Sequence, residues 1–353
     1  MTRLTITSSL LLALVGCGDP SSPATPAVSS ITITGATTSQ VGQTTALTAV
    51  AKDAAGNPVT VPITWASSDA TLIDVSTSGT VTATRIGTVT ITATAGSATA
   101  SVSFTSSLTP YTFVFPAEMT AADQQTVRDG VQYAHAYHAI IFGRQIVQAS
   151  TVSASSTAAG CSQGGAAAFT GAKAVTFCIA NPGWTQNGPI QRQKIVQHEL
   201  FHVWQFEYKW LGNPATAGAN WVIEGSAELM GFRGIANRNL LTFTTALGCQ
   251  VKQVADFAVQ HPPGLPALST VESQQTFQTT VGPLYAQSML AMDQLTTSGG
   301  LVALKTYTDA IAAGTQWQTA FQTSFGMSTA AFYSQFPTYR AGQAVPPNYL
   351  CGV

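Results

Sequence analysis

The sequence is poor in charged residues, and this shortage limits the partners that the protein can have. Charged side chains make up only 8% of the 353 residues, whereas about a quarter is usual, and no segment concentrates lysine or arginine. Binding to nucleic acid requires a concentrated basic surface, so we expect no nucleic-acid partner. Threonine, serine, alanine and glycine replace the missing charges, a composition that is typical of exported or cell-surface proteins.

The sequence also lacks an apolar run long enough to cross a bilayer. The run at residues 4–15 follows Arg3 and has the length of a signal peptide. It leads into Leu-Val-Gly and then Cys17, which resembles the lipobox of bacterial lipoproteins. The resemblance implies a signal peptide at residues 1–17, lipidation of Cys17, and an exported protein anchored to a membrane of the bacterial cell envelope. An ordinary signal peptide is the alternative. Residues 18–28, rich in proline and serine, predict a flexible linker.

Cysteines are few, and none has the spacing of a zinc ligand. Four remain after Cys17, and an even number in an exported chain predicts two disulfides. Three pairings are possible. We favour Cys161 with Cys178, which closes a short loop, and Cys249 with Cys351, which would hold the C-terminus. Buried free thiols are the alternative.

Residues 29–106 have the pattern of a small β-sandwich. Apolar and β-branched residues alternate in short stretches, and turn residues separate these at 56–58 and 78–79. Four segments resemble the bacterial Ig-like domain of group 2: VGQT at 41–44, ITWASSD at 63–69, VSTSGTVTA at 75–83 and GTVTITA at 87–93. The resemblance implies a surface module, for spacing or for contact with the cell surface or cell wall. It also implies that Trp65 is buried and that this domain carries no catalytic residues.

From residue 107 onward the pattern becomes mainly helical, with a smaller share of strands. Predicted helices lie at residues 120–142, where Thr120 is a good N-cap, and at 190–211 and 221–232; predicted strands lie at 145–153 and 174–180. Together they predict an α+β domain at residues 107–353 that is mainly helical in its C-terminal half.

One motif in this domain carries chemistry. His198, Glu199 and His202 form an HExxH pattern inside an apolar helical segment. Residues four apart share one face of a helix, so both imidazoles can bind one Zn²⁺. Zinc lowers the pKa of a bound water to about 7, and Glu199 is placed to accept the proton. Burial of three such groups without a metal is unfavourable, which favours a metal site over a chance match or a buried polar network. Gln205 and Tyr208 occupy the positions where metzincins need glycine and histidine, which excludes that class.

A second motif, WVIEGSAE at residues 221–228, resembles the helix that supplies the third zinc ligand in gluzincin metallopeptidases. The resemblance implies a zincin-like fold, Zn²⁺ held by His198, His202 and Glu224, and hydrolysis of peptide bonds. It also implies that Glu228 accepts a hydrogen bond from a ligand histidine. The alternative for both glutamates is a solvated position on the helix.

The reaction also needs a group that stabilises the oxyanion. Tyr285, in the segment LYAQS at residues 284–288, resembles the start of a later helix in related families, and we expect it to be that group. His261, in a proline-rich loop, is the alternative. The gluzincin resemblance further implies that the strand at 174–180 borders the cleft and pairs with an extended substrate.

These features together predict an exported, lipid-anchored zinc metallopeptidase that acts on a peptide or protein. Two alternatives remain open. The first is a cell-surface adhesion or binding protein whose zinc site is structural or inactive, although Glu199 argues against it because a structural site needs ligands and no base. The second is a zinc hydrolase that acts on cell-wall peptide.

Overall fold

The structure is a computed structural model, and it describes residues 27–144, 146–161, 168–171, 173–211, 218–280 and 282–347. The predicted signal peptide, including Cys17, lies outside the described residues, as do Cys351 and nearly all of the predicted linker. No helix within the described ranges has the length and hydrophobicity needed to cross a membrane.

The N-terminal part is a β-sandwich, as predicted. Its strands are β1 (Ser30–Thr34), β2 (Thr38–Gln40), β3 (Thr44–Ala46), β4 (Thr48–Lys52), β5 (Pro58–Val59), β6 (Thr64–Ser67), β7 (Ile73–Val75), β8 (Thr80–Ala83), β9 (Gly87–Ala95) and β10 (Ala98–Ser107). A four-stranded sheet in the order β2-β10-β9-β6 is accompanied by the sheets β1-β4-β5 and β3-β8-β7. Alternate residues of β9 are buried, including Val89 and Ile91. Trp65 is only partly buried, because it packs at the side of two small core clusters and not inside one.

A second four-stranded sheet follows, with the strands β11 (Tyr111–Val114), β12 (Ser150–Ser155), β13 (Ala168–Gly171) and β14 (Ala174–Cys178). The order is β11-β12-β14-β13, and only β13 is antiparallel to its neighbour. The strand predicted at 145–153 begins only at Ser150. The strand predicted to border the cleft is β14, which lies between β12 and β13, so that expectation was wrong: β13 forms the edge.

The predicted disulfide between Cys161 and Cys178 is present, with an S–S distance of 2.28 Å. It links the end of β14 to the segment that follows β12. Cys249 is buried. Its predicted pairing with Cys351 stays a prediction, because Cys351 lies outside the described residues.

Helices make up most of the remaining chain. They are α1 (Ala121–Phe142), α2 (Pro182–Thr185), α3 (Pro189–Glu207), α4 (Asn220–Asn237), α5 (Phe243–Gln260), α6 (Gln274–Thr279), α7 (Leu284–Ala312), α8 (Trp317–Phe325) and α9 (Thr329–Ala341). The Thr120 hydroxyl caps α1 by accepting from the Asp123 N–H at 3.1 Å, and Gly143 ends that helix in the left-handed conformation. α3 ends at Glu207, earlier than predicted, because Lys209 adopts a positive φ of 64°.

The helices α1, α3, α4 and α7 pack side by side in that order. Two glycines allow close approach. A Cβ atom added at Gly130 of α1 would collide with Val196 of α3. A Cβ atom added at Gly225 of α4 would collide with the carbonyl group of Ser288 of α7. The chain therefore combines an N-terminal β-sandwich with a mainly helical C-terminal half, in which α3 lies between α1 and α4.

Candidate metal centre

The three predicted metal ligands lie together. α3 presents His198 and His202 one turn apart, and α4 presents Glu224 opposite them. The two Nε2 atoms are 3.1 Å apart, and Oε2 of Glu224 lies 3.5 Å from Nε2 of His198 and 3.2 Å from Nε2 of His202. Tetrahedral zinc with bonds of about 2.0–2.1 Å separates its ligand atoms by roughly 3.3–3.4 Å. The triangle therefore has the size of one face of a zinc coordination tetrahedron.

The orientation of His198 is set by Glu228. Nδ1 of His198 lies 2.9 Å from Oε2 of Glu228, whose two oxygens also accept from Nζ of Lys194 at 2.8 and 2.9 Å. Burial alone would raise the pKa of Glu228, but Lys194 and His198 lower it to about 2. An ionised carboxylate only accepts, so Nδ1 donates and Nε2 keeps its lone pair for the metal site. The structure thus brings Glu228 to the position predicted for it.

The orientation of His202 is set by Gln205, which was not among the predicted site residues. Nδ1 of His202 lies 2.6 Å from Oε1 of Gln205. The amide nitrogen of Gln205 donates to the Ile223 carbonyl at 3.1 Å and to the Ser226 hydroxyl at 3.0 Å, so its oxygen faces the imidazole. Nδ1 of His202 therefore donates as well, and both Nε2 atoms point at the same space. The only signal in the sequence is that Gln205 lies three residues after His202, on a neighbouring helical position.

The formal charges of the side chains at the site sum to a negative value, which favours a bound cation. The carboxylates of Glu199, Glu224 and Glu228 and the ammonium group of Lys194 sum to −2, which one divalent ion balances. The same negative charges favour the protonated form of His198 when no metal is bound. Burial would lower the pKa of His198, but hydrogen bonds and charges from Glu224 and Glu228 raise it to about 10. Within the described part of the chain, no other three His, Cys, Asp or Glu side chains converge in this way. The donor set and its charge therefore fit a divalent zinc ion.

Glu199 lies beside the ligand triangle and faces the cleft. Its side chain is mostly buried (9% exposed). The hydroxyl of Thr170, on the edge strand β13, donates to Oε2 of Glu199 at 2.6 Å. Thr170 is not recognisable from the sequence, because a single threonine in a four-residue strand carries no motif. The contact holds one oxygen of the Glu199 carboxylate at a fixed place.

Tyr285 lies at the first turn of α7, with its ring 6.0 Å from the ring of His198. Desolvation first, and then the charges of Glu224 and Glu199, raise the pKa of Tyr285 well above its usual range. Its hydroxyl therefore keeps its proton and can donate a hydrogen bond to a substrate oxygen. The alternative residue, His261, follows α5, stacks on Phe257 at 4.4 Å, and is not among the described residues that line the cleft.

The cleft extends to both sides of these residues. One cavity of about 340 Å³ lies on the side of Phe206, Ile223 and Gln274, and another of about 350 Å³ lies on the side of Lys194 and Ile195. Four residues line both cavities: Ala168, His198, Glu199 and Tyr285. We call these two cavities, which adjoin at the shared residues beside the ligand triangle and β13, the groove.

Comparison with known protein families identifies the N-terminal sandwich. Residues 27–106 match the bacterial Ig-like domain of group 2. The sandwich is a bacterial Ig-like domain. Domains 4 and 5 of the S-layer protein SbsC are similar to 23% of the chain, at 24% identity and a TM-score of 0.21, and the chain spans 53% of that structure. No curated protein matches the chain.

Proposed function

We propose that the chain is a zinc-dependent hydrolase of peptide bonds, with a zincin-like catalytic domain of the gluzincin type at residues 107–353. The observation that carries the proposal is the triangle of Nε2 of His198, Nε2 of His202 and Oε2 of Glu224, with sides of 3.1 to 3.5 Å. A purely structural site needs four ligands and no base. Here three ligands leave one position open toward the cleft, and Glu199 lies beside it.

When bound, zinc would act as a Lewis acid toward the substrate carbonyl and lower the pKa of water. The chain's own residues have separate roles. The Thr170 hydroxyl donates a hydrogen bond to Oε2 of Glu199. Oε1 is therefore the oxygen that accepts the proton of the attacking water and later returns it to the leaving amine. The Tyr285 hydroxyl donates to the oxygen that gains negative charge.

The groove supports a peptide as the substrate. It passes the ligand triangle on both sides, so a chain can extend in both directions from the scissile bond. Its wall includes the edge strand β13, and an extended peptide can pair with such an edge. Amide side chains of Gln274 and Gln278 line one end, where they can hydrogen-bond to a peptide backbone.

The proposed location is the bacterial cell envelope. The lipobox ending at Cys17 and the bacterial Ig-like domain both support export, and lipidation of Cys17 would anchor the protein to a membrane. Mass spectrometry of a membrane fraction tests this directly. A Cys17→Ser protein should lose the lipid adduct and leave the membrane fraction.

The test of the catalytic proposal starts from the metal. We expect elemental analysis of the purified protein to find about one zinc per chain, and His202→Ala and Glu224→Ala proteins to lose it. Glu199→Gln should keep its zinc and lose about 10²–10⁴-fold in the rate of cleavage of a labelled peptide library. A parent protein that takes up no zinc, even after refolding with the metal, would overturn the proposal.

The alternative function is cell-surface adhesion with a structural or inactive zinc site, and the bacterial Ig-like domain is the observation that favours it. The two functions differ at Glu199, because a base is needed only for catalysis. A Glu199→Gln protein that keeps its zinc and its full biological activity would support adhesion. A zinc hydrolase that acts on cell-wall peptide would be recognised by cleavage of isolated peptidoglycan and not of the peptide library.

A further inference from the structure

The bacterial Ig-like domain is fixed to the helical domain by a short loop. Residues 84–86, which connect β8 to β9, lie against one face of α1. The residues of α1 that meet this loop are Gln125, Asp129 and Gln132, at helical spacings of four and three. We call these three residues and the loop at 84–86 the docking contact.

A bidentate ion pair lies at the centre of the docking contact. Nε of Arg85 donates to Oδ1 of Asp129 at 3.1 Å, and Nη2 pairs with Oδ2. Asp129 is buried (8% exposed). Because Asp129 is desolvated, loss of Arg85 would leave a buried carboxylate without its main partner, which is far more unfavourable than loss of a surface pair.

Backbone groups of the loop are bound by the two glutamines. The Ile86 N–H donates to Oε1 of Gln132 at 3.0 Å, and Nε2 of Gln132 donates to the Thr84 carbonyl at 2.9 Å. Nε2 of Gln125 donates to the Ile86 carbonyl at 3.1 Å. Ile86 itself is buried. The contact therefore satisfies loop backbone groups that a free Ig-like domain would leave to solvent.

The covalent connection between the domains is also short and bonded. β10 ends at Ser107 and β11 begins at Tyr111. Between them, the Thr109 N–H donates to Oε1 of Gln40 in the Ig-like domain at 3.1 Å. A connection of this length restricts the two domains to a narrow range of orientations.

Another side of α1 packs against α3, the helix of the candidate metal centre. Gly130, next to Asp129, lies so close to Val196 that an added Cβ would be 2.5 Å from its Cγ1. Val196 lies two residues before His198 on α3. One continuous set of contacts therefore runs from Arg85 through α1 to the helix that carries the zinc ligands.

We propose that the bacterial Ig-like domain and the helical domain form one cooperative unit, in which the Ig-like domain stabilises α1 and α3 through the docking contact. The Ig-like domain is then part of the metal-centre scaffold, in contrast to an independent spacer. The proposal does not depend on the proposed function, because it concerns folding and requires neither zinc nor catalysis.

The test uses hydrogen exchange of the zinc-free full chain at increasing urea concentrations, read by mass spectrometry. Peptides from β9 and β10 report on the Ig-like domain, and peptides from α3 and α4 report on the helical domain. Coupled domains transmit a local change to each other reciprocally. We therefore expect Arg85→Ala to lower the urea midpoint of the α3 and α4 peptides, and Asp129→Asn to lower the midpoint of the β9 and β10 peptides. The Tm should fall by about 5 °C.

Lys52→Ala is the matched control, because Lys52 is a basic residue of the Ig-like domain on β4, outside the docking contact. It should leave the midpoint of the α3 and α4 peptides unchanged. Should Arg85→Ala fail to fold, Gln132→Ala tests the same contact without leaving a buried charge. The proposal is overturned if α3 and α4 keep the parent midpoint in Arg85→Ala and if β9 and β10 keep it in Asp129→Asn and Gln132→Ala, since the domains are then independent.

Discussion

The hydroxyl of Thr170 lies 2.6 Å from Oε2 of Glu199 and joins the edge strand of the sheet to the helix of the metal centre. This contact gives the two oxygens of the Glu199 carboxylate different surroundings. Oε2 accepts the hydrogen bond from Thr170, and Oε1 is the oxygen proposed to accept a proton from water. The strand that lines the groove therefore also orients the proposed base.

Replacement of Thr170 by valine tests this relationship. Valine has the same shape but no hydroxyl, so Glu199 loses a charge-assisted hydrogen bond. We expect kcat to fall by about 10-fold, with an unchanged zinc content, and Thr170→Ser to restore most of the activity. Thr151→Val, an exposed threonine of β12, is the control and should have the activity of the parent. Equal loss in the valine and serine variants would argue against the hydrogen bond.

Gln205 provides a prediction for metal affinity alone. Gln205→Leu removes the acceptor for Nδ1 of His202, and loss of such a partner weakens metal binding by about 10–100-fold. A competition titration with a zinc chelator measures the change. Gln197→Leu is the matched control on the same helix, since the amide of Gln197 is buried and has no hydrogen-bond partner among the described residues. Similar zinc affinities in both variants would remove Gln205 from the site.

His138 gives a prediction for pH dependence. It is buried beside Phe201, and neither ring nitrogen has a hydrogen-bond partner within the described ranges. Burial, and then the charge of His135, lower the pKa of His138 to about 3. Between pH 6.5 and 3 the unfolded chain therefore binds a proton that the folded chain does not. The contribution of His138 to stability is lost as the pH falls through this range.

His138→Leu should accordingly raise the free energy of unfolding by about 1–3 kcal/mol at pH 7 and by more at pH 5. Urea unfolding of the zinc-free protein at both pH values measures the difference. His261→Ala, an exposed histidine at the end of α5, is the control and should follow the parent. A gain at pH 5 no larger than the gain at pH 7 would contradict the assignment.

The disulfide between Cys161 and Cys178 provides a prediction for stability. The two cysteines are 17 residues apart, and a crosslink closing a loop of this length stabilises a fold by about 3 kcal/mol. The double variant Cys161→Ser and Cys178→Ser should lose about that much, and reduction of the parent should lower its free energy of unfolding similarly. Zinc content should persist, since neither cysteine lies among the ligands. No response to reduction would show that the loop is restrained by other contacts.

The ligands of the candidate site were predictable because each lies in a local motif. His198, Glu199 and His202 follow from helical spacing, and Glu224 follows from a second helical segment with a recognisable pattern. Thr120 similarly defined the start of α1. In these cases, neighbouring residues in the sequence contain the information, because one helix determines their geometry.

The partners of these residues could not be predicted in the same way. Thr170 lies in a strand of four residues that follows a glycine-rich and alanine-rich segment, which hides any strand alternation. Gln205 acts through an amide orientation that depends on carbonyl and hydroxyl groups of α4. The ion pair of Arg85 with Asp129 joins residues 44 positions apart. All three depend on how separate elements pack, and no local pattern contains that information.

Gly225 sets how closely α4 and α7 approach each other beside the groove. It follows Glu224 on α4 and lies against the carbonyl group of Ser288 on α7, the helix that begins beside Tyr285. A single methyl group at this position would force α4 and α7 apart, and Glu224, the proposed metal ligand, would move away from Tyr285. The width of the cleft is thus defined by a missing side chain, at a position that is not among the proposed metal ligands.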